Sequence, residues 1–172
     1  MSKHYYLVAS LPYLKFGARP PLSTDEFFYE CRKWLSSEGI REIELAEVIG
    51  ERTTGADSAV LREWKDFDMA LRMGLAEARA AKKNNEDSRA TGEARDVMEE
   101  ADALLMEKRL AKIRWDFIEE QQVECYFDTN WLVFYYLKLR ILERMSTFDK
   151  DKGESFFYRI CEVQYEHEQQ KG

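Results

Sequence analysis

The chain has 172 residues, of which 45 % are hydrophobic and 34 % charged, and a formal net charge of -7. That length predicts a single domain, residues 1–172, with a real hydrophobic core, and the composition argues against disorder of the whole chain. The acidic balance disfavours binding to a phosphate backbone, so no nucleic acid is expected as a partner.

All three prolines, Pro12, Pro20 and Pro21, lie at the start, and everything after them is proline-free and written at helical spacing. The expected fold is all-α, an antiparallel helical bundle with a protruding long helical hairpin behind an aromatic, proline-containing leader over residues 1–22. Residues 5–9 are apolar and suit either a short strand or a helical turn, with an extended path preferred. Tyr13 and Phe16 then alternate with Pro12, Gly17 and the Pro20-Pro21 pair, which prevents a regular helix.

A first helix is predicted from Thr24. Ser23 can cap it, Glu26 can complete a capping box and Leu22 can staple Phe27. Phe27, Phe28, Cys31, Trp34 and Leu35 form its apolar stripe, with Gly39 as a stop. Ile40, Ile43, Leu45, Val48 and Ile49 suggest a short second helix ending at Gly50, followed by a polar turn over 51–57. A long hairpin is expected over residues 58–121. Its first arm carries Val60, Leu61, Trp64, Phe67, Leu71, Leu75 and Ala78 on one face. Its tip, near 82–92, is polar.

The second arm is read as one helix over 93–121, with Val97, Ala101, Leu104, Ala111, Trp115 and Ile118 on one face. A second row, Met106, Leu110, Ile113 and Phe117, implies two neighbours in its later half. Asp128 is a cap for a helix over 131–145, with Phe127 and Leu132 spaced as a staple. That helix is apolar almost all round and is therefore the centre of the core. Lys138, Arg140, Glu143 and Arg144 interrupt it and need exposed exits or paired partners. A last helix is predicted from about residue 154, and its pattern near Tyr165 suggests that further C-terminal helices could follow.

The chain carries no defensible chemistry of its own. Asp149-Lys150-Asp151-Lys152-Gly153-Glu154 has the look of a calcium loop, but its glycine is one place early and Ile160 stands where a bidentate Glu belongs. Glu99, Glu100, Asp102, Glu119 and Glu120 lack the Glu-x-x-His pairs of a di-iron bundle. His4 and His167 are too isolated for a zinc site. Cys31, Cys125 and Cys161 are odd in number and lie in apolar patterns, which points to packed, reduced thiols in a cytoplasmic setting. Cys125 has no motif that would activate it. The four tryptophans all fall on core stripes. No catalytic residue, metal, cofactor or small-molecule substrate is therefore expected.

The short apolar run before Pro12 does not make a signal peptide. The uncharged stretch over 129–137 falls far short of the ~20 residues needed to span a membrane. Direct membrane insertion is not expected, and any membrane association would be peripheral, at the inner membrane through partner subunits.

The run Tyr5-Tyr6-Leu7-Val8-Ala9-Ser10-Leu11-Pro12 is followed by Phe16-Gly17, Pro20-Pro21-Leu22-Ser23, Glu26-Phe27 and Cys31. It resembles an uncharacterised bacterial family encoded among V/A-type ATPase genes, at the position of the connecting subunit of the central stalk. Phe127-Asp128-Thr129-Asn130-Trp131-Leu132 and Tyr135-Tyr136-Leu137-Lys138-Leu139-Arg140 are similar to the same family. The resemblance implies a non-catalytic connector or accessory subunit in ion transport and ATP synthesis, with the other ATPase subunits of the central stalk and membrane rotor ring as partners. The central-stalk connector is a helical funnel of three lobes, roughly twice this long, so this chain could supply only part of such a structure. Two other readings follow from the residues, a stand-alone helical adaptor gripping a partner with its hairpin and a helical enzyme.

A rigid segment loses less entropy on binding. Tyr13, Phe16 and Arg19 in the proline-stiffened leader are the candidate partner-binding residues. The competing expectation is that Tyr13 and Phe16 cover the ends of the core helices.

Overall fold

The computed structural model describes residues 4–46, 58–84, 92–100 and 102–148. Among them the protein is all-α, with seven helices and no strand: α1 (Tyr5–Ser10), α2 (Thr24–Cys31), α3 (Ser37–Leu45), α4 (Ala59–Asn84), α5 (Gly92–Glu99), α6 (Ala103–Gln122) and α7 (Thr129–Ser146). The expected end of the second helix at Gly50, the turn over 51–57 and Ala101 lie outside the described residues. So do most of the hairpin tip, the calcium-like loop and the last helix.

α7 is the axis of the molecule. Asp128 caps it by accepting a hydrogen bond from the Trp131 amide at 3.0 Å. Every residue over 132–139 is buried, as expected of a helix that is apolar on all sides. α2, α3 and α6 pack around it. Phe27, fully buried, stacks on Tyr135 and Tyr136 at 5.5 and 5.9 Å, and Phe28 meets Tyr136 at 5.2 Å. Each such ring contributes about 1.5–3 kcal/mol by leaving water.

α2 begins where its start signal places it. Ser23 Oγ accepts from the Glu26 amide, and the Glu26 carboxylate accepts from the Ser23 amide at 2.7 Å. The capping bonds hold the Glu26 carboxyl below its usual range. The far end of the helix corrects the sequence reading. α2 stops at Cys31, and Ser36 caps α3 by accepting from the Gly39 amide at 3.3 Å. Gly39 therefore lies in the first turn of α3, because a serine three residues upstream offers its amide a partner. With the stripe cut short, Trp34 leaves the core and is exposed.

α4 runs antiparallel to the arm formed by α5 and α6. As α4 advances through Phe67, Asp68 and Gly74, its partners fall back through Phe117, Arg114 and Ala94. Phe67 and Phe117 stack face to face at 3.9 Å. At Gly74 the helices approach so closely that an added Cβ would lie 3.1 Å from that of Ala94. Leu71, Leu75, Ala78, Ala94, Val97 and Leu110 form a second, smaller core there.

The second arm is not one helix, contrary to its continuous stripe. α5 ends at Glu99, and Asp102 takes an extended conformation and accepts from the Leu104 amide, restarting the chain as α6. A side chain that competes for backbone amides favours such a cap over a helix interior. The preference for an extended path over residues 5–9 is likewise corrected. Those residues open α1, since among the described residues no strand exists to pair with them and a helix satisfies its own backbone groups.

Candidate functional site

The leader is a strap with two kinds of residue. Pro12 offers its carbonyl to the Tyr135 hydroxyl at 2.8 Å, Leu14 is buried, and Leu22 packs against the main core. Phe16 meets Trp115 edge-on at 5.5 Å and carries Lys112 on its ring at 5.6 Å. Gly17, at φ +77°, turns the chain so that the Ala18 amide reaches the Lys15 carbonyl at 3.1 Å, a conformation glycine adopts without steric cost.

The three candidate contacts therefore divide. Phe16 covers the core, as the competing expectation had it, whereas Tyr13 is 85 % exposed and Arg19 also faces solvent. Leu14 and the Tyr135 hydroxyl, which fasten the strap, were missed. Leu14 sits beside two aromatic residues that drew the reading, and the hydroxyl lies more than a hundred residues away in sequence.

Next to the strap, α1 buries Leu7 and Val8 and turns Tyr5 and Tyr6 outward. Tyr6 stacks with Trp34, and Tyr5 lies against Phe127. The His4 amide donates to the Phe127 carbonyl at 2.5 Å, and Phe127 takes a left-handed conformation. The adjacent Tyr126 is exposed as well. This aromatic surface was legible only in part, because Tyr5 and Tyr6 show their outward orientation once residues 5–10 are helical.

Asp68, Lys138 and Glu143 are tied to structure by their hydrogen bonds. Asp68, buried on α4, accepts from Arg72 Nε at 2.7 Å and from Arg114 Nε of α6 at 2.8 Å. Lys138 donates to Gln122 at 2.8 Å and Glu119 at 3.3 Å and lies over the Trp115 ring. Burial pushes its ammonium pKa down, and Glu119 opposes that shift. Glu143 of α7 accepts from the Thr24 amide at 2.8 Å and from its hydroxyl at 2.7 Å, adding a carboxylate to those of Asp25 and Glu26 at the start of α2.

A shallow cleft of about 590 Å³ opens there, lined by Ser23, Thr24, Asp25, Phe28, Glu44, Arg140 and Glu143. Burial raises the Cys31 thiol pKa to about 12, and burial followed by Asp128 and Glu124 raises that of Cys125 to about 11. Neither is a ready nucleophile, since the thiolate is the reactive form. Among the described residues no group of three His, Cys, Asp or Glu side chains could hold a metal ion, and no helix is long and apolar enough to cross a membrane.

Residues 91–167 match the model of a family described as a protein of unknown function (DUF2764). That stretch takes in α5, α6 and α7, while α1 to α4 lie outside it. No curated protein and no solved structure matches the chain.

Proposed function

We propose that the protein is a non-catalytic connector or accessory subunit of a V/A-type ion-translocating ATPase, occupying a connector-like place between the central stalk and the membrane rotor ring. One observation carries the reading. The two segments that resemble the ATPase-operon family, the leader with α1 and the first half of α7, are joined by the bonds from Tyr135 to Pro12 and from His4 to Phe127. Residues that carry the likeness thus form one packed unit, with Tyr13 and Arg19 on its outer side.

In this role the work is mechanical. Stiff helices around α7 transmit torque, and the strap presents a ring and a guanidinium to a neighbouring subunit, the residue types enriched at interfaces. The setting is cytoplasmic, and the membrane is reached through partner subunits. The alternative is a stand-alone helical adaptor that grips another protein with its long hairpin, α4 against α5 and α6.

Affinity purification of the full chain under mild conditions tests the proposal. Central-stalk and rotor-ring subunits are expected in the eluate, reduced at least about tenfold by Tyr13→Ala with Arg19→Glu, the effect of losing a strong contact. ATPase subunits absent from the eluate, or retained equally by that variant, would overturn it.

A further inference from the structure

α1 is only six residues long, yet its outward rings start a belt that crosses the surface. Trp34 stacks on Tyr6 at 6.0 Å with the planes 18° apart, and Tyr5 lies against Phe127 at 4.7 Å. Tyr126, the residue before Phe127, is exposed as well. The exposures of Tyr5, Tyr6, Trp34, Tyr126 and Phe127 are 49, 79, 54, 67 and 38 %. At about 200 Å² for a whole aromatic side chain, on the order of 550 Å² of ring surface is open.

That area is at the top of the range for the largest patch on an ordinary monomer and is most of the roughly 800 Å² that each partner contributes to a stable interface. The belt also has unlike ends. Arg32 and Lys33, both exposed, precede Trp34 in the sequence, Arg32 reaching over the Phe28 ring at 5.8 Å and Lys33 over the Tyr29 ring at 4.2 Å while it holds Glu30 at 2.7 Å. Exposed Glu124 lies two residues before Tyr126 in the sequence.

We infer that the belt is a homodimer interface and that its occupant is a second copy of this chain. A two-fold axis near Tyr5 and Tyr6 lays ring against ring and brings the basic end of one copy over the acidic end of the other. An isologous contact demands this self-complementarity, and opposite charges at its rim would set its register. The inference goes beyond the ATPase reading and does not depend on it.

Light scattering on the full chain at roughly 100 μM, well above the micromolar range of weak interfaces of this size, should give the mass of a dimer. Tyr6→Ser with Trp34→Ser removes two exposed rings, so it should yield a monomer with an unchanged melting temperature. Glu124→Arg alone should weaken the dimer at least about tenfold, and Arg32→Glu in the same chain should restore it.

A wild-type monomer at that concentration overturns the proposal, as does a dimer indifferent to the ring substitutions or to the charge reversals. A monomer that captures ATPase subunits only with the belt intact assigns the surface to a different protein. A monomer whose Trp34 is shielded from acrylamide assigns it to another part of the same chain. Either result overturns the dimer.

Discussion

Tyr13 and Phe16 lie three residues apart on the strap and face opposite ways, one into solvent and the other onto Trp115. Phe16→Ala should therefore lower stability by about 2 kcal/mol, less than the 3–5 typical of a fully buried ring because Phe16 is only half-buried. Tyr13→Ala should stay within about 0.5 kcal/mol, as surface changes do. Urea unfolding of the two variants checks the contrast, and equal losses would remove Tyr13 from the docking surface.

The thiols supply a pH test. Cys31 titrates near an ordinary value of 9.0 when unfolded and near about 12 in the fold, so its packing contribution is complete below pH 9 and is lost as the pH rises through about 12. Cys125 acts in the same direction up to about 11. The melting temperature should drop more between pH 8 and 10.5 in the wild type than in Cys31→Ala. Parallel slopes would show that burial does not hold the Cys31 proton.

At the scale of elements, Asp68 joins α4 to α6 through two arginines, one from each helix. Asp68→Ala would leave both guanidiniums without their acceptor. Breaking a buried pair costs about 3–5 kcal/mol, and the partial exposure of Arg72 and Arg114 places this loss near the lower bound. Chemical denaturation should show the loss, whereas a change below about 1 kcal/mol would mean the ions are already solvated.

Such a bond was not legible in the sequence. Asp68 reads as one more polar residue beside a good stripe, and its partner lies 46 positions away. The elements themselves were legible wherever a local signal decided them. Ser23 with Glu26 and Asp128 with Trp131 fix helix starts within four residues, and the stripe from Leu61 to Ala78 fixes the buried face of α4. The reading failed where two local rules competed. Gly39 looks like a stop until Ser36 caps across it, and the stripe through the second arm hides a break that Asp102 makes by bonding its own helix start. Of the candidate site, the leader's rings were visible but their directions were not. Which ring turns inward depends on Trp115, supplied by a distant helix.

At the scale of the whole molecule, the family match and the core do not share a boundary. The matched stretch, residues 91–167, includes α7, but two sides of α7 are covered by α2 and α3 from outside it. Phe27, Cys31 and Ile43 are fully buried in that contact, and Leu61 and Trp64 extend the same core from α4. α5 likewise rests on Leu71 and Leu75 of α4. A fragment of residues 91–167 would expose these faces of Leu132, Phe134, Tyr136 and Val97 and lose several side chains' worth of burial, each about 1.5–3 kcal/mol. A domain has only about 5–15 kcal/mol of stability in total.

The fragment should therefore be helical in far-ultraviolet circular dichroism but melt without a cooperative transition and bind a hydrophobic dye, as loosely packed states do. A separate fragment of residues 1–90, mixed with it, should restore a cooperative melt by returning α2, α3 and α4 to their faces. A sharp transition from residues 91–167 alone would show that the matched stretch folds independently and that α1 to α4 were built onto a finished unit.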